Sequence, residues 1–152
     1  MALDLSDPEL LRAIASVRSD NTAHNYCVLG YSAKNKLGVT AMGDGPTPWS
    51  FVDEMEEDKV SFALLRVANT RDQESKTVKF VFITYLGPSV GGMARGRVGA
   101  HKPDVKALVG QSHVDYQTDD KDDLSEASLT DRLKKASGAN YVRWHASPSR
   151  RP

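Results

Sequence analysis

Cys27 and His24 are the first residues here that could do covalent chemistry together, the thiol as nucleophile and the imidazole as its base. Their spacing defeats the pair. Three residues apart on an extended segment, the two side chains project to opposite faces and do not meet. Cys27 lies in the apolar run Tyr26 to Leu29 and reads as a small core residue. The other histidines, His101, His113 and His145, are scattered without metal-ligand spacing. Gly91-Gly92-Met93-Ala94-Arg95-Gly96-Arg97-Val98 follows a strand and opens a helix, as a phosphate loop would. Both glycine positions of that motif are met. The lysine position, however, holds Arg97 and the hydroxyl position Val98, so neither phosphate grip nor magnesium ligand is supplied. The sequence therefore predicts no catalysis, no metal and no cofactor.

What remains is the chemistry of binding. From Lys76 to Lys106 there are six cations (Lys76, Lys79, Arg95, Arg97, Lys102 and Lys106) against one acid, Asp104. Acids gather elsewhere, from Asp53 to Asp58 and from Asp119 to Glu126. Net charge is zero, so the molecule as a whole attracts neither nucleic acid nor an anionic membrane. One basic part of a neutral surface suits a partner with a defined acidic patch. Lys79 is the sharpest candidate, a cation at the mouth of an otherwise apolar strand.

Those residues need a frame to hold them. With 152 residues, 39% hydrophobic and 26% charged, the chain supports one globular domain, and no apolar run approaches a membrane span. The start lacks the pattern of a signal peptide and the single cysteine has no internal partner, which together predict a reducing, cytoplasmic setting. Ser6-Asp7-Pro8-Glu9 reads as a capping box opening a helix over Asp7 to Arg18. Strands follow at Tyr26 to Tyr31 and Leu37 to Met42, a short helix at Trp49 to Met55, and a strand at Val60 to Ala68. Next come a hairpin loop at Thr70 to Ser75 and a strand with Val78 to Leu86 on its alternating faces, which are both mostly apolar and must be covered on both sides. A kinked helix is expected from Val90 to Gly110, interrupted by Gly96, Gly99 and Pro103. A fifth strand, Val114 to Thr118, and a last helix starting among Asp119 to Asp123 complete the order. The fold class is α+β, a mixed five-stranded sheet between helices. Residues 142–152 are expected to form a basic, flexible tail beyond a domain of residues 1–141.

Two motifs in register carry a resemblance: Lys79 to Gly87, Lys-Phe-x-x-Ile-Thr-aromatic-x-Gly, and Leu133 to Tyr141, Leu-Lys-Lys-Ala-x-Gly-Ala-Asn-Tyr. Both resemble the coactosins, filament-binding members of the actin-depolymerising-factor homology (ADF-H) family, and the similarity extends from about Asp7 to Tyr141. The resemblance implies a single ADF-H domain, a monomer of the cytoplasmic cytoskeleton, and filamentous actin as partner. It assigns a filament contact to Lys79, with Lys76 beside it. In this family the start of the long helix enters a cleft of actin with an exposed apolar residue flanked by cations, which Met93, Arg95 and Arg97 match, Lys102 lying further along the helix. Coactosins bind filament sides without strong severing or monomer sequestration. The cofilin branch, which severs, uses a basic N-terminal arm and a regular helix, whereas this chain starts with Asp4-Leu5-Ser6-Asp7. Two other readings stay open, a severing factor of the cofilin type and an interaction adaptor with a second protein as its main partner.

Overall fold

The computed structural model describes residues 3–45, 47–69 and 77–136. Lys76, the Thr70 to Ser75 loop and the tail from 142 onward lie outside them. The elements are α1 (Pro8–Arg18), β1 (Tyr26–Ala33), β2 (Lys36–Gly43), a 3₁₀ turn (Trp49–Glu54), β3 (Val60–Asn69) and β4 (Thr77–Leu86). There follow α2 (Gly92–Val109), β5 (Val114–Thr118), a second 3₁₀ turn (Lys121–Leu124) and α3 (Glu126–Ala136). The strands form one sheet in the order β2-β1-β3-β4-β5. The β1–β2, β1–β3 and β3–β4 pairs are antiparallel, and β4–β5 is parallel because α2 carries the chain back between them.

β4 is covered on both faces, as its sequence predicts. Phe82 and Leu86 join Leu10, Ile14 and Val17 of α1 and Val98, Val105 and Val109 of α2 in one core layer. Val81, Ile83 and Tyr85 join Phe51, Met55, Leu124, Leu129 and Leu133 in the other. The period of two in the strand thus sorts alternate residues into two separate cores.

Three local readings change. The cap of α1 is Asp7, whose Oδ1 accepts the Glu9 amide at 2.9 Å; the Ser6 hydroxyl instead donates to Asp4. Pro8 occupies the first turn, so the cap moves one residue inward. The acidic run Asp119 to Asp123 builds the second 3₁₀ turn, capped by Asp120, and α3 begins at Glu126 with Ser125 Oγ accepting from the Ser128 amide. Finally, α2 runs uninterrupted from Gly92 to Val109 with Pro103 inside it. Val98, His101, Val105 and Val109 recur on its inner side. Burying each valine at about 1.5–3 kcal/mol outweighs glycines that cost about 1 kcal/mol each. The carbonyl that Pro103 leaves without a helical donor belongs to Gly99, which faces water.

Candidate functional site

α1 and α2 both end beside the start of β4, and that convergence builds the surroundings of Lys79. Lys79 pairs across the ladder with Val67 and is half-buried, on the face of Val81 and Ile83. Phe80 points to the other face. The Arg18 guanidinium lies 4.3 Å and that of Arg66 5.7 Å from its ring centroid, and the His113 ring stacks on it at 6.4 Å and 22°. Both arginines finish helices. Arg18 Nη1 donates to the carbonyls of Val109 (3.3 Å) and Gln111 (2.9 Å) at the end of α2. Arg66 Nη1 donates to those of Val17 (3.2 Å) and Arg18 (3.0 Å) at the end of α1, and Nη2 pairs with Asp20. A cation at a helix C-terminus satisfies orphan carbonyls and meets the negative end of the dipole.

His113 stands just before β5. Its amide donates to the Phe80 carbonyl at 2.7 Å, and the Phe80 amide donates to His113 Nδ1 at 2.9 Å. Burial, then the Lys79 charge, holds the imidazole below its usual range; the Phe80 backbone pulls it upward and Arg18 lowers it again.

Met93, Arg95 and Arg97 lie at the opposite end of the sheet. From Lys79 to Leu86 the strand rises about 23 Å, at about 3.3 Å per residue, and α2 starts just beyond it. Of the six cations of Lys76 to Lys106, the described five, Lys79, Arg95, Arg97, Lys102 and Lys106, therefore do not make one basic surface, and that expectation is corrected for them. Met93, in the first turn of α2, is 79% exposed. Arg95 is half-buried and donates from Nε to the Val90 carbonyl and from Nη2 to that of Gly87, both at 3.0 Å, fastening the strand-to-helix turn. Arg97 lines an open cleft of about 440 Å³ with Tyr31, Lys34, Glu54, Glu56 and Asp58. Lys102 Nζ lies 3.5 Å from Asp115 and 3.3 Å from Gln117 Oε1, and Lys106 Nζ is 2.6 Å from Asp115.

The two acidic runs come together at this end. The Tyr85 phenol is pushed above its usual range by burial, then by the charges of Glu57, Asp119 and Asp120. Gly87 is forced to be glycine here, since a Cβ would lie 2.1 Å from the Glu57 carbonyl oxygen.

Neither covalent candidate has a working geometry. Cys27 is fully buried, and burial pushes its thiol up to about 12. His24 Nδ1 is instead 2.7 Å from Ser16 Oγ. Gly92 to Val98 is already helix, and the Arg95 amide is spent on the Gly91 carbonyl at 3.1 Å, so no loop of free amides exists to cradle a phosphate. Among the described residues no group of three or more His, Cys, Asp or Glu could hold a metal ion, and no helix is long and apolar enough to cross a membrane.

Arg18, Arg66, Phe80 and His113 escaped the sequence reading as a group. Their positions are far apart in the chain and follow no shared period; only the meeting of two helix ends with two strand starts unites them.

Residues 2–134 match the family model described as cofilin/tropomyosin-type actin-binding protein. The chain is 35% identical over 138 residues to coactosin of Dictyostelium discoideum, covering 91% of this chain and 94% of that protein. The fold matches human coactosin-like protein with a TM-score of 0.79 at 27% identity, over 88% of this chain and 99% of that one. Mouse coactosin, an actin filament binding protein, matches with a TM-score of 0.73 at 28% identity, over 99% and 100% of the two chains.

Proposed function

The chain belongs to the cofilin/tropomyosin-type actin-binding family, and from that premise we propose that it binds the sides of actin filaments in the coactosin manner, without strong severing and without sequestering monomers. The observation that carries this reading is the cation Lys79 at the start of β4, in a chain whose relative of similar length is an actin filament binding protein. Lys79 is the central filament contact, and Lys76 extends it. Met93 reaches into a groove of actin from the far end of the molecule, where methionine's flexible thioether adapts to an irregular surface. Arg95 and Lys102 contribute through the backbone turn and the Asp115 pair that they hold, and Arg97 meets actin from the rim of its cleft. Residues 1–141 form the binding domain and 142–152 a basic tail, in a cytoplasmic monomer that works without a cofactor.

Cosedimentation with filamentous actin at several salt concentrations tests the reading, with imaging of labelled filaments and a titration against monomeric actin. Expected are saturable pelleting that weakens with salt, intact filaments and weak monomer binding. Rapid fragmentation or tight monomer binding would move the chain to the severing branch. No pelleting at any salt would favour an adaptor with another partner.

A further inference from the structure

Met93, Arg97 and His101 recur every four residues along α2 and so share one stripe of the helix. Apart from the Arg95 tie to the preceding turn, the buried side chains of that half of α2 are Val98 and His101. An added Cβ at Gly96 or Gly99 would meet nothing within 4 Å, so neither position packs. A buried imidazole costs free energy unless it is hydrogen-bonded. At 3% exposure, His101 places Nδ1 2.9 Å from the Tyr31 hydroxyl near the end of β1, and the two rings lie 5.8 Å apart. The Tyr31 ring is 6.3 Å from Phe62 of β3, which stacks on Phe82 of β4 at 6.1 Å and 6°. A line of rings thus starts in the middle of the sheet and ends in a directional bond to α2.

We propose that the Tyr31–His101 hydrogen bond is a positioning clamp for the second actin contact, setting the roll of α2 so that Met93 and Arg97 face actin together. This rests on the reading of Met93 and Arg97 as actin contacts. Apolar packing of Val98 is non-directional and leaves the helix free to turn, whereas a hydrogen bond holds both distance and angle. Turning α2 at His101 turns the whole stripe, so the clamp acts on Arg97 one turn away and on Met93 two turns away. Tyr31 and Arg97 line the same open cleft. Burial holds the Tyr31 phenol above its usual range and the Arg97 charge draws it down, which marks how near the two groups are. Cutting the bond leaves α2 helical, because Val98, Val105 and Val109 stay buried, and loosens its aim.

Tyr31→Phe keeps the ring and its packing and removes the hydroxyl. Filament cosedimentation compares it with wild type, alone and in a background carrying Met93→Ala and Arg97→Ala, with melting temperatures measured alongside. In the otherwise wild-type protein, pelleting should weaken about threefold to tenfold, the range expected for one hydrogen bond. In the doubly substituted background Tyr31→Phe should change nothing further, because the residues it aims are gone. Unchanged pelleting of Tyr31→Phe overturns the inference. So does an equal loss in both backgrounds, the mark of general destabilisation. Amide exchange reads the clamp without actin: in Tyr31→Phe the amides of Arg95 to Gly99 should exchange faster relative to those of Ala107 to Val109. A ratio equal to that of wild type would equally overturn the clamp. Were no protein to pellet while exchange followed this pattern, the filament reading would fail and the clamp would stand.

Discussion

The two ends of β4 are built on opposite electrostatic plans. Where the strand begins, Phe80 lies beneath two guanidiniums with Lys79 and His113 beside it, and two helices end there with their carbonyls capped by arginine. Where it finishes, acids from two distant segments approach Tyr85, α2 starts on glycine, and the exposed side chain is the apolar Met93. The first end is cross-tied and charged, suited to a contact that depends on one well-placed cation. The second is held by its backbone, through Gly87, Ser89 and Arg95, and offers a soft apolar tip. Zero net charge thus conceals two ends whose charged groups are arranged differently.

Reversing the charge at the first end should have the largest effect. Lys79→Glu is expected to weaken filament pelleting by about a hundredfold or more, since a like-charge contact costs several kcal/mol at an interface. Its melting temperature should stay close to wild type. Unchanged pelleting of the folded variant would remove Lys79 from the contact. At the second end the sensitive position is structural. Gly87→Ala drives a methyl into the Glu57 carbonyl and should destabilise by about 1–3 kcal/mol in urea unfolding. If it is instead neutral, the backbone tie at this end is looser than its geometry implies.

The glycines of α2 give a smaller change of opposite sign. An added Cβ at Gly96 or Gly99 meets nothing within 4 Å. Each substitution by alanine should therefore stabilise by about 0.5–1 kcal/mol through reduced freedom of the unfolded chain. Filament pelleting should not change; monomer binding that rises in the double variant would show that helix looseness is what limits the second end. The weakest effect is the acid sensitivity of stability. The His113 imidazole is held below its usual 6.5, so the folded state disfavours the cation. Its contribution is present above about pH 6.5 and is lost as pH falls through the lowered value. Urea midpoints should drop slightly more in wild type than in His113→Asn over that window, and parallel curves would place the acid sensitivity elsewhere.

Strand order aside, most of the frame was legible from local pattern. Alternation in Val78 to Leu86 announced a strand buried on both faces, and the structure divides those residues between two cores. The spacing of Leu10, Ile14 and Val17 announced α1, and the three-position spacing of His24 and Cys27 along extended chain ruled out a catalytic pair. Each of these depends on neighbours within one element, where a fixed period sets which way a side chain points. The helix expected over Val90 to Gly110 is present as Gly92–Val109, and its glycines and Pro103 do not break it because burial of Val98, Val105 and Val109 outweighs their propensity. The described cations do not form the expected basic surface. Nearness in sequence from Lys79 to Lys106 is not nearness in space, because the ten-residue strand β4 carries the chain from one end of the sheet to the other within that interval. Sequence alone determined which segments pair faces with the core, because that is local and periodic. Only the tertiary structure decided which charges meet, because Arg18, Arg66, Phe80 and His113 are brought together by the packing of four elements, and electrostatic interaction follows distance through space rather than along the chain.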